Sequence, residues 1–266
     1  MTTYPRAPSD IDHLSHSAIS TYLRCPRQFA YSYLEGLRRP PGIALLKGSA
    51  VDKAASHNLA QKIDSHSDLP SREVQEVAED ALRQDVDANG GAGEVDWGGK
   101  SYPVAIDSVV ALTERHMLSH APLIQPAAVQ LELERPIPGT GRTLLGYLDY
   151  VTETGIVGDV KTGSRKMGRD DADNDGQPTA YAWLLGRPIQ FEFVRVIDTG
   201  RYISDEIVTT SRGATDTAWF ERQAQEVSGA IDAAAFPPNT QGWHCSPRFC
   251  GYWIRCRVSN SPPVIG

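Results

Sequence analysis

Nothing in this 266-residue sequence is built to cross a bilayer, because no run of about 18 apolar residues occurs. The opening stretch "MTTYPRAPSDIDHLSHS" lacks the apolar centre of an export signal. Both absences predict a soluble, cytoplasmic protein with no membrane partner. Positive charge is in deficit as well: 26 Lys and Arg face 33 Asp and Glu, a net charge of −7, so the surface is not coated for nucleic acid. The basic residues are instead gathered in three groups: Arg24, Arg27, Arg38, Arg39, Lys47 and Lys53, then Lys161, Arg165, Lys166 and Arg169, then Arg248, Arg255 and Arg257. Each group taken alone reads equally well as solvated surface. Cysteine is scarce. Cys25 stands alone near the start, and Cys245, Cys250 and Cys256 lie together near the end. Without an export signal, two disulfides are the poorer use of four thiols and metal ligation the better one, with unligated buried thiols as the plain alternative.

Two motifs fail on inspection. "GAGEVDWGGKS" has the tail of a phosphate-binding loop, but its required first glycine falls on Glu94 and no strand precedes it, which leaves a flexible loop and no ATPase motor. "DADNDG" copies half of a calcium loop, yet the position that needs a bidentate glutamate is Ala182. It reads as a solvated lead-in to the next helix, with Asp175 near the cap.

What is present is a core-forming α/β pattern in a chain that is 40% apolar. Ser17 is placed to cap a helix running to Arg24, and Pro26 to open a second, "PRQFAYSYLEG", closed by Gly36. Helices are expected over "KGSAVDKAASHNLAQKI", Ser71 to Asp87, Tyr102 to Ser119, "GQPTAYAWLLG" and Thr215 to Ala235. "AAVQLELER", "TLLGYLDYV", "GIVGDVKT", "IQFEFVRVI" and "YISDEIV" have the alternation and branching of strands. There is no internal repeat, and only the extreme ends look disordered. The expectation is a single domain over 1–266: a helical part at 14–120 that includes Cys25, a sheet core at 127–210, and a C-terminal helix with the three-cysteine segment at 214–257.

One hairpin carries chemistry. In "GYLDYVTETGIVGDVKTG" a three-residue loop, Glu153 to Gly155, pairs Thr152 with Ile156 and so sets Asp149 opposite Asp159. Lys161 shares that face. Opposed Cβ atoms stand about 5 Å apart, and two carboxylates at that spacing repel unless a cation lies between them. Carboxylate oxygens suit Mg²⁺ or Mn²⁺, and a neighbouring lysine can polarise an attacking water or neutralise a transition state. The bland alternative is a polar strand end with an incidental ion pair.

These motifs resemble the PD-(D/E)xK nucleases, specifically the RecB-like branch with an iron–sulfur cluster, to which CRISPR-associated and phage exonucleases belong. The likeness extends from about Leu14 to Cys256. It implies a restriction-endonuclease-like fold, with a mixed central sheet flanked by helices and a helical, cysteine-clasped iron–sulfur region. "GYLD" and "DVK" match the metal-binding motifs, so the resemblance assigns Asp149 and Asp159 as ligands, Val160 as a carbonyl ligand and Lys161 as the catalytic lysine. Gln177 and Tyr181 match a Gln-x-x-x-Tyr motif, where they would hold a nucleotide or orient Lys161. Members usually carry a histidine in the pattern Gly-x-x-x-His, where "GSAVD" has Asp52, which is a better candidate ligand than His57. "YLRCPRQFAYSYL" and "CSPRFCGYWIRC" match the cysteine segments, although four residues rather than two separate Cys245 from Cys250. Cys25, Cys245, Cys250 and Cys256 would then hold a [4Fe–4S] cluster, with tetrahedral Zn²⁺ as the alternative, acting as a clasp rather than a redox centre. The implied activity is a Mg²⁺- or Mn²⁺-dependent DNA exonuclease on single strands or duplex ends. Arg24, Arg27 and Arg248 would contact phosphates, and Tyr22, Tyr31, Tyr252 or Trp253 could stack on bases. The competing reading is a catalytically silent iron–sulfur or zinc DNA-binding subunit of a recombination or CRISPR adaptation complex, whose proteins would be its partners.

Overall fold

The structure, a computed structural model, describes residues 5–37 and 39–259, so Arg38 of the first basic group and the extreme ends lie outside the described residues. In chain order the strands are β1 (His13–Leu14), β2 (Pro126–Pro136), β3 (Thr143–Thr152), β4 (Val157–Gly163), β5 (Ile189–Asp198) and β6 (Ile203–Arg212). The helices are α1 (His16–Arg24), α2 (Pro26–Phe29), α3 (Ile43–Ser65), α4 (Ser71–Ala88), α5 (Tyr102–Ser119), α6 (Arg169–Asp173), α7 (Gly176–Leu185) and α8 (Ala214–Asp232). The chain divides into one unit of Met1–Arg39, Glu134–Gly146 and Ala218–Gly266 and another of Pro40–Leu133 and Tyr147–Thr217. Among the described residues no helix is long and apolar enough to cross a membrane.

In the first unit Ser15, not Ser17, caps α1: its hydroxyl accepts the Ala18 N–H at 3.1 Å, while the Ser17 hydroxyl meets the Ser15 hydroxyl instead of the helix backbone. Cys25, extended at φ −161°, breaks the helix, and Pro26 restarts it. The second helix is α-helical only to Phe29 and continues as a π-turn over Ala30–Leu34. Phe29 is fully buried, with Tyr22 edge-on at 5.6 Å and Phe236 stacked at 6.2 Å. Tyr31 and Tyr252 are also buried, and the Tyr252 hydroxyl donates to the Leu37 carbonyl at 2.8 Å. Tyr22, Tyr31 and Tyr252 therefore serve the core, and none is presented for base stacking.

In the second unit the sheet is mixed. β4 pairs antiparallel with β3 and parallel with β5, which pairs antiparallel with β6. One face, carrying Tyr150, Val160, Val194 and Val196, packs on α3, α4 and α5. The α3 stripe Leu46, Ala50, Ala54, Leu59 follows helical spacing and is buried throughout. The opposite face carries Asp159, Phe191, Phe193 and Lys161, with Tyr181 of α7 packed on Phe191 at 6.1 Å. The failed phosphate loop follows α4, contains a 3₁₀ turn at Ala92–Glu94, and ties back through a Gly42–Asp96 bridge. Several expected surface cations are spoken for: buried Lys47 pairs with Asp198 at 2.8 Å, Lys53 with Asp85 at 2.6 Å and Arg165 with Asp171 at 3.4 Å.

The same core holds an uncharged histidine pair. His116 on α5 and His120, the residue that caps its end, have ring centroids 5.7 Å apart and ring nitrogens without hydrogen-bond partners. Burial first, and the neighbouring His120 second, push His116 down to about 3, with Asp68 opposing and Lys62 reinforcing. Unfolded, it titrates near about 6.5. The fold therefore excludes the proton: its contribution to stability is complete above about pH 6.5 and is lost as pH falls toward 3, by up to about 1.4 kcal/mol per unit. Urea unfolding across that window should show this slope, and His116→Leu should flatten it; an unchanged slope would assign the acid loss to other groups.

Candidate active site

The turn behaves as its spacing predicts. The Thr152 N–H donates to the Ile156 carbonyl at 2.9 Å, Gly155 takes φ +84°, and Tyr150 pairs with Gly158 and Val151 with Val157. Carried one step further, this register sets Asp149 beside Asp159. There the Asp149 carboxylate takes the Val160 N–H at 2.9 Å, a bond that locks its side chain to the neighbouring strand.

Asp159 is 1% exposed. Its Oδ1 accepts from Lys161 Nζ at 2.9 Å and from Gln177 Nε2 at 2.8 Å, while Oδ2 has no partner. Oδ1 of Asp52, on α3, is buried and unpartnered too. Burial first, and then the Asp159 charge, raise both Asp149 and Asp52, and Asp52 adds to the effect on Asp149. Burial opposes the charge on Lys161, but Asp159, followed by Asp149 and Asp175, holds its ammonium above the usual lysine value. Its side chain keeps 43% of its surface exposed, so the amine stands where the site opens to solvent.

Helix α7 supplies the rest. Asp175 caps it by accepting the Gln177 N–H at 2.8 Å. Gln177 and Tyr181, one turn apart, are joined at 2.8 Å, and the Tyr181 hydroxyl donates to the Tyr147 carbonyl at 2.6 Å. The amide of Gln177 thus links the Asp159 carboxylate to a phenol anchored on β3. Burial, and then Asp159, raise Tyr181, which stays a neutral donor.

Three supports escaped the sequence reading. Arg212, 6% exposed, donates to the carbonyls of Ala172, Asp173 and Asp175 at 2.9–3.0 Å and to Thr179 Oγ1 at 2.8 Å, clamping the turn that leads into α7. The acidic segment before α7 is accordingly a short helix, α6, with Ala172 buried, rather than a solvated lead-in. Tyr150 crosses over Gly158 to donate to Glu192 Oε1 at 2.7 Å, and a Cβ on Gly158 would meet the Tyr150 ring at 1.9 Å. Arg195, beside Lys161 in the β4–β5 register, pairs with Glu206. A glycine ahead of Asp159 and an arginine inside an apolar strand were the available signals for the last two.

The donor chemistry fits a hard divalent cation: carboxylates with buried, unsatisfied oxygens that repel one another. Among the described residues no group of three or more His, Cys, Asp or Glu side chains stands ready-made around an ion position. The fit rests instead on the two orphaned oxygens, Asp52 Oδ1 and Asp159 Oδ2.

The cysteines and Arg24, Arg27 and Arg248 belong to the other unit. None of the four thiols is in a disulfide. Burial first, and then Cys25 and Cys250 among its neighbours, raise the Cys256 thiol. Cys245 Sγ lies 3.7 Å from Arg257, and Cys25 Sγ accepts the Asn239 N–H at 3.4 Å. Among the described residues the four thiols, like the carboxylates, form no group of three or more placed to hold a metal ion.

A profile of the PD-(D/E)XK nuclease superfamily matches residues 13–257, and the chain belongs to that superfamily. Its fold is also that of a crystal structure from Eubacterium rectale, provisionally described as an exonuclease, with a TM-score of 0.62 at 12% identity over 96% of this chain and 91% of that one. The crystal structure of SSO0001 covers 92% of this chain and 85% of its own at 12% identity, but its TM-score of 0.40 carries no argument. No curated protein sequence matches the chain.

Crowded, unneutralised carboxylates should cost the metal-free protein stability. Asp52→Asn should raise the thermal midpoint of EDTA-treated protein by a few degrees, on the order of 1 kcal/mol, and diminish the stabilisation given by added Mn²⁺. Melting curves with and without metal check both effects.

Proposed function

We propose that this chain is a metal-dependent deoxyribonuclease of the RecB-like branch, an exonuclease acting on single-stranded DNA or DNA ends. The observation that carries this reading is Asp159: buried, fastened on one oxygen by Lys161 and Gln177, bare on the other, and facing two more carboxylates. Asp149, Asp159, Asp52 and the Val160 carbonyl would hold Mg²⁺ or Mn²⁺. Bound there, the cation supplies Lewis acidity and offsets charge at a phosphodiester.

The chain's own groups do the positioning. Lys161, charged and half-exposed, orients a water toward the phosphorus and offsets charge as it builds on the phosphoryl oxygens. Gln177 keeps the Asp159 carboxylate turned toward the site, and Tyr181 keeps Gln177 turned toward Asp159. Arg24, Arg27 and Arg248 would follow the phosphates of the strand. Cys25, Cys245, Cys250 and Cys256 would bind a [4Fe–4S] cluster whose ligation free energy becomes folding free energy. That none of the four thiols is in a disulfide supports that assignment.

With end-labelled single-stranded DNA and Mn²⁺, the wild type should release nucleotides from an end and leave closed circles intact. Lys161→Ala should lose activity by about a hundredfold or more at unchanged melting temperature. A wild type that binds DNA and never cuts it would establish the silent-subunit reading instead. Anaerobically purified protein should contain iron and acid-labile sulfide, and Cys25→Ala should lose both along with thermal stability. Stoichiometric zinc without sulfide would replace the cluster by a zinc site.

A further inference from the structure

The cysteine-rich segment presents a surface that the cluster itself does not require. In a chain with 33 acidic residues, none follows Asp232, whereas Arg248, Arg255 and Arg257 all do. A net-negative protein has therefore set aside one stretch that carries no negative side chain. Two of these arginines are engaged: Arg255 pairs with Glu35, and Arg257 lies over the Trp253 ring at 4.8 Å. Arg248 has no carboxylate partner among the described residues, and its guanidinium sits 5.2 Å over the ring of Phe249.

The same segment sorts its aromatics in two directions. Tyr252 turns inward, 7% exposed, and is hydrogen-bonded to Leu37. Trp243 and Phe249 turn outward, 71% and 50% exposed, meeting edge to face at 5.0 Å and 89°. They are fixed there by local backbone structure. Gly242, at φ +90°, receives the Cys245 N–H on its carbonyl, and Ser246 accepts the N–H groups of Phe249 and Cys250 at 3.2 and 2.9 Å. The Ser246 hydroxyl closes the turn by donating to the Trp243 carbonyl at 3.2 Å. A single exposed aromatic is unremarkable, but two held together beside an unpaired arginine form a patch of defined chemistry. Flat π faces next to a cation, in a stretch without acid groups, complement stacked bases on a polyanion. Paired bases in a duplex have their faces covered, so a single strand is the form that can use such a surface.

We infer that Trp243 and Phe249 form a base-stacking platform for single-stranded DNA, with Arg248 contacting the adjoining phosphate. This rests on the deoxyribonuclease reading for its choice of partner and for the phosphate role of Arg248, and it assigns the base-contacting residues that reading leaves open.

The test uses the full chain as purified, in Ca²⁺ without Mg²⁺ or Mn²⁺, with fluorescein-labelled oligothymidine and an abasic strand of equal length. Wild type should prefer the strand with bases. Trp243→Ala/Phe249→Ala should weaken binding of that strand by about tenfold or more while leaving the abasic strand and the salt slope unchanged. Trp243→Phe should retain most of the affinity. Arg248→Ala should weaken both strands and reduce the salt slope by about one. Equal binding of the two strands by wild type, a double variant that binds as wild type does, or tighter binding of RNA or duplex would each overturn the assignment. So would a wild-type self-association, ended by the double variant, in a protein that binds no oligonucleotide. Cleavage of bis(4-nitrophenyl) phosphate with Mn²⁺ separates the two readings, since it needs no base. A protein inert toward it and toward DNA that still prefers bases over abasic backbone loses the nuclease reading and keeps the platform.

Discussion

A carboxylate buried to 1% exposure with one bare oxygen is the constraint around which the larger unit is organised. Leaving a charged buried group short of partners costs about 1–3 kcal/mol or more, so the surrounding structure has to hold Asp159 in place against that cost. It does so from three sides. Lys161 answers from the same strand, Gln177 from α7, and Asp149 fastens the adjacent strand through the Val160 N–H. The helical support depends in turn on further elements. Gln177 is aimed by Tyr181 and by the Asp175 cap, and the cap is held by Arg212 drawing three carbonyls onto one guanidinium. Removing any tier would free the one above it without touching the carboxylate directly.

The two faces of β4 share this task. On the Asp159 face the row running from Lys161 through Arg195 to Glu206 places two cations and one anion on three strands, and the anion pairs with the arginine, so the lysine sits next to a charge already matched. Lys161 is then free to serve the carboxylates. On the other face Gly158 makes room for Tyr150, whose ring lies across it and whose hydroxyl reaches Glu192. That bridge fastens β3 to β5 over the top of β4, at the residue immediately before Asp159. The glycine is there because the tyrosine passes where a side chain would be.

Local and periodic features were the legible part. Helices α4 and α5 begin at Ser71 and Tyr102, as their apolar periodicity predicts, and the hairpin register came from a three-residue loop whose glycine takes the left-handed region. With the register fixed, the shared face of Asp149, Asp159 and Lys161 followed from strand alternation alone. What escaped was long-range. Arg212 lies more than thirty positions beyond the carbonyls it gathers, and no spacing rule connects an arginine at a strand end to a turn before a distant helix. The basic groups misled for a related reason. Lys47 reads as surface charge, but its partner Asp198 is 151 residues away, and only the packing of α3 on the sheet reveals the pair. The cap at Ser15 was a choice between two serines that sequence alone does not rank, and the π-turn after Phe29 leaves the same 3.6-residue pattern as the helix it extends.

The choice between Asp52 and His57 shows how much one glycine can decide. Gly48 brings the α3 backbone so close to β4 that a Cβ there would stand 3.2 Å from Thr162 Oγ1, tighter than an ordinary contact by a few tenths of an ångström. One turn later on the same helical face, position 52 necessarily looks toward the carboxylates, whereas position 57 is rotated by about 140° from it. Asp52 accordingly has a buried, unpartnered oxygen and feels the charge of Asp159, while His57 is exposed. A spacing of four after the glycine is thus a statement about backbone approach: the helix must come within contact distance before a side chain as short as aspartate can reach the site. A histidine is longer and would tolerate a looser approach, so the close glycine contact and the short side chain belong together as one solution to the same distance.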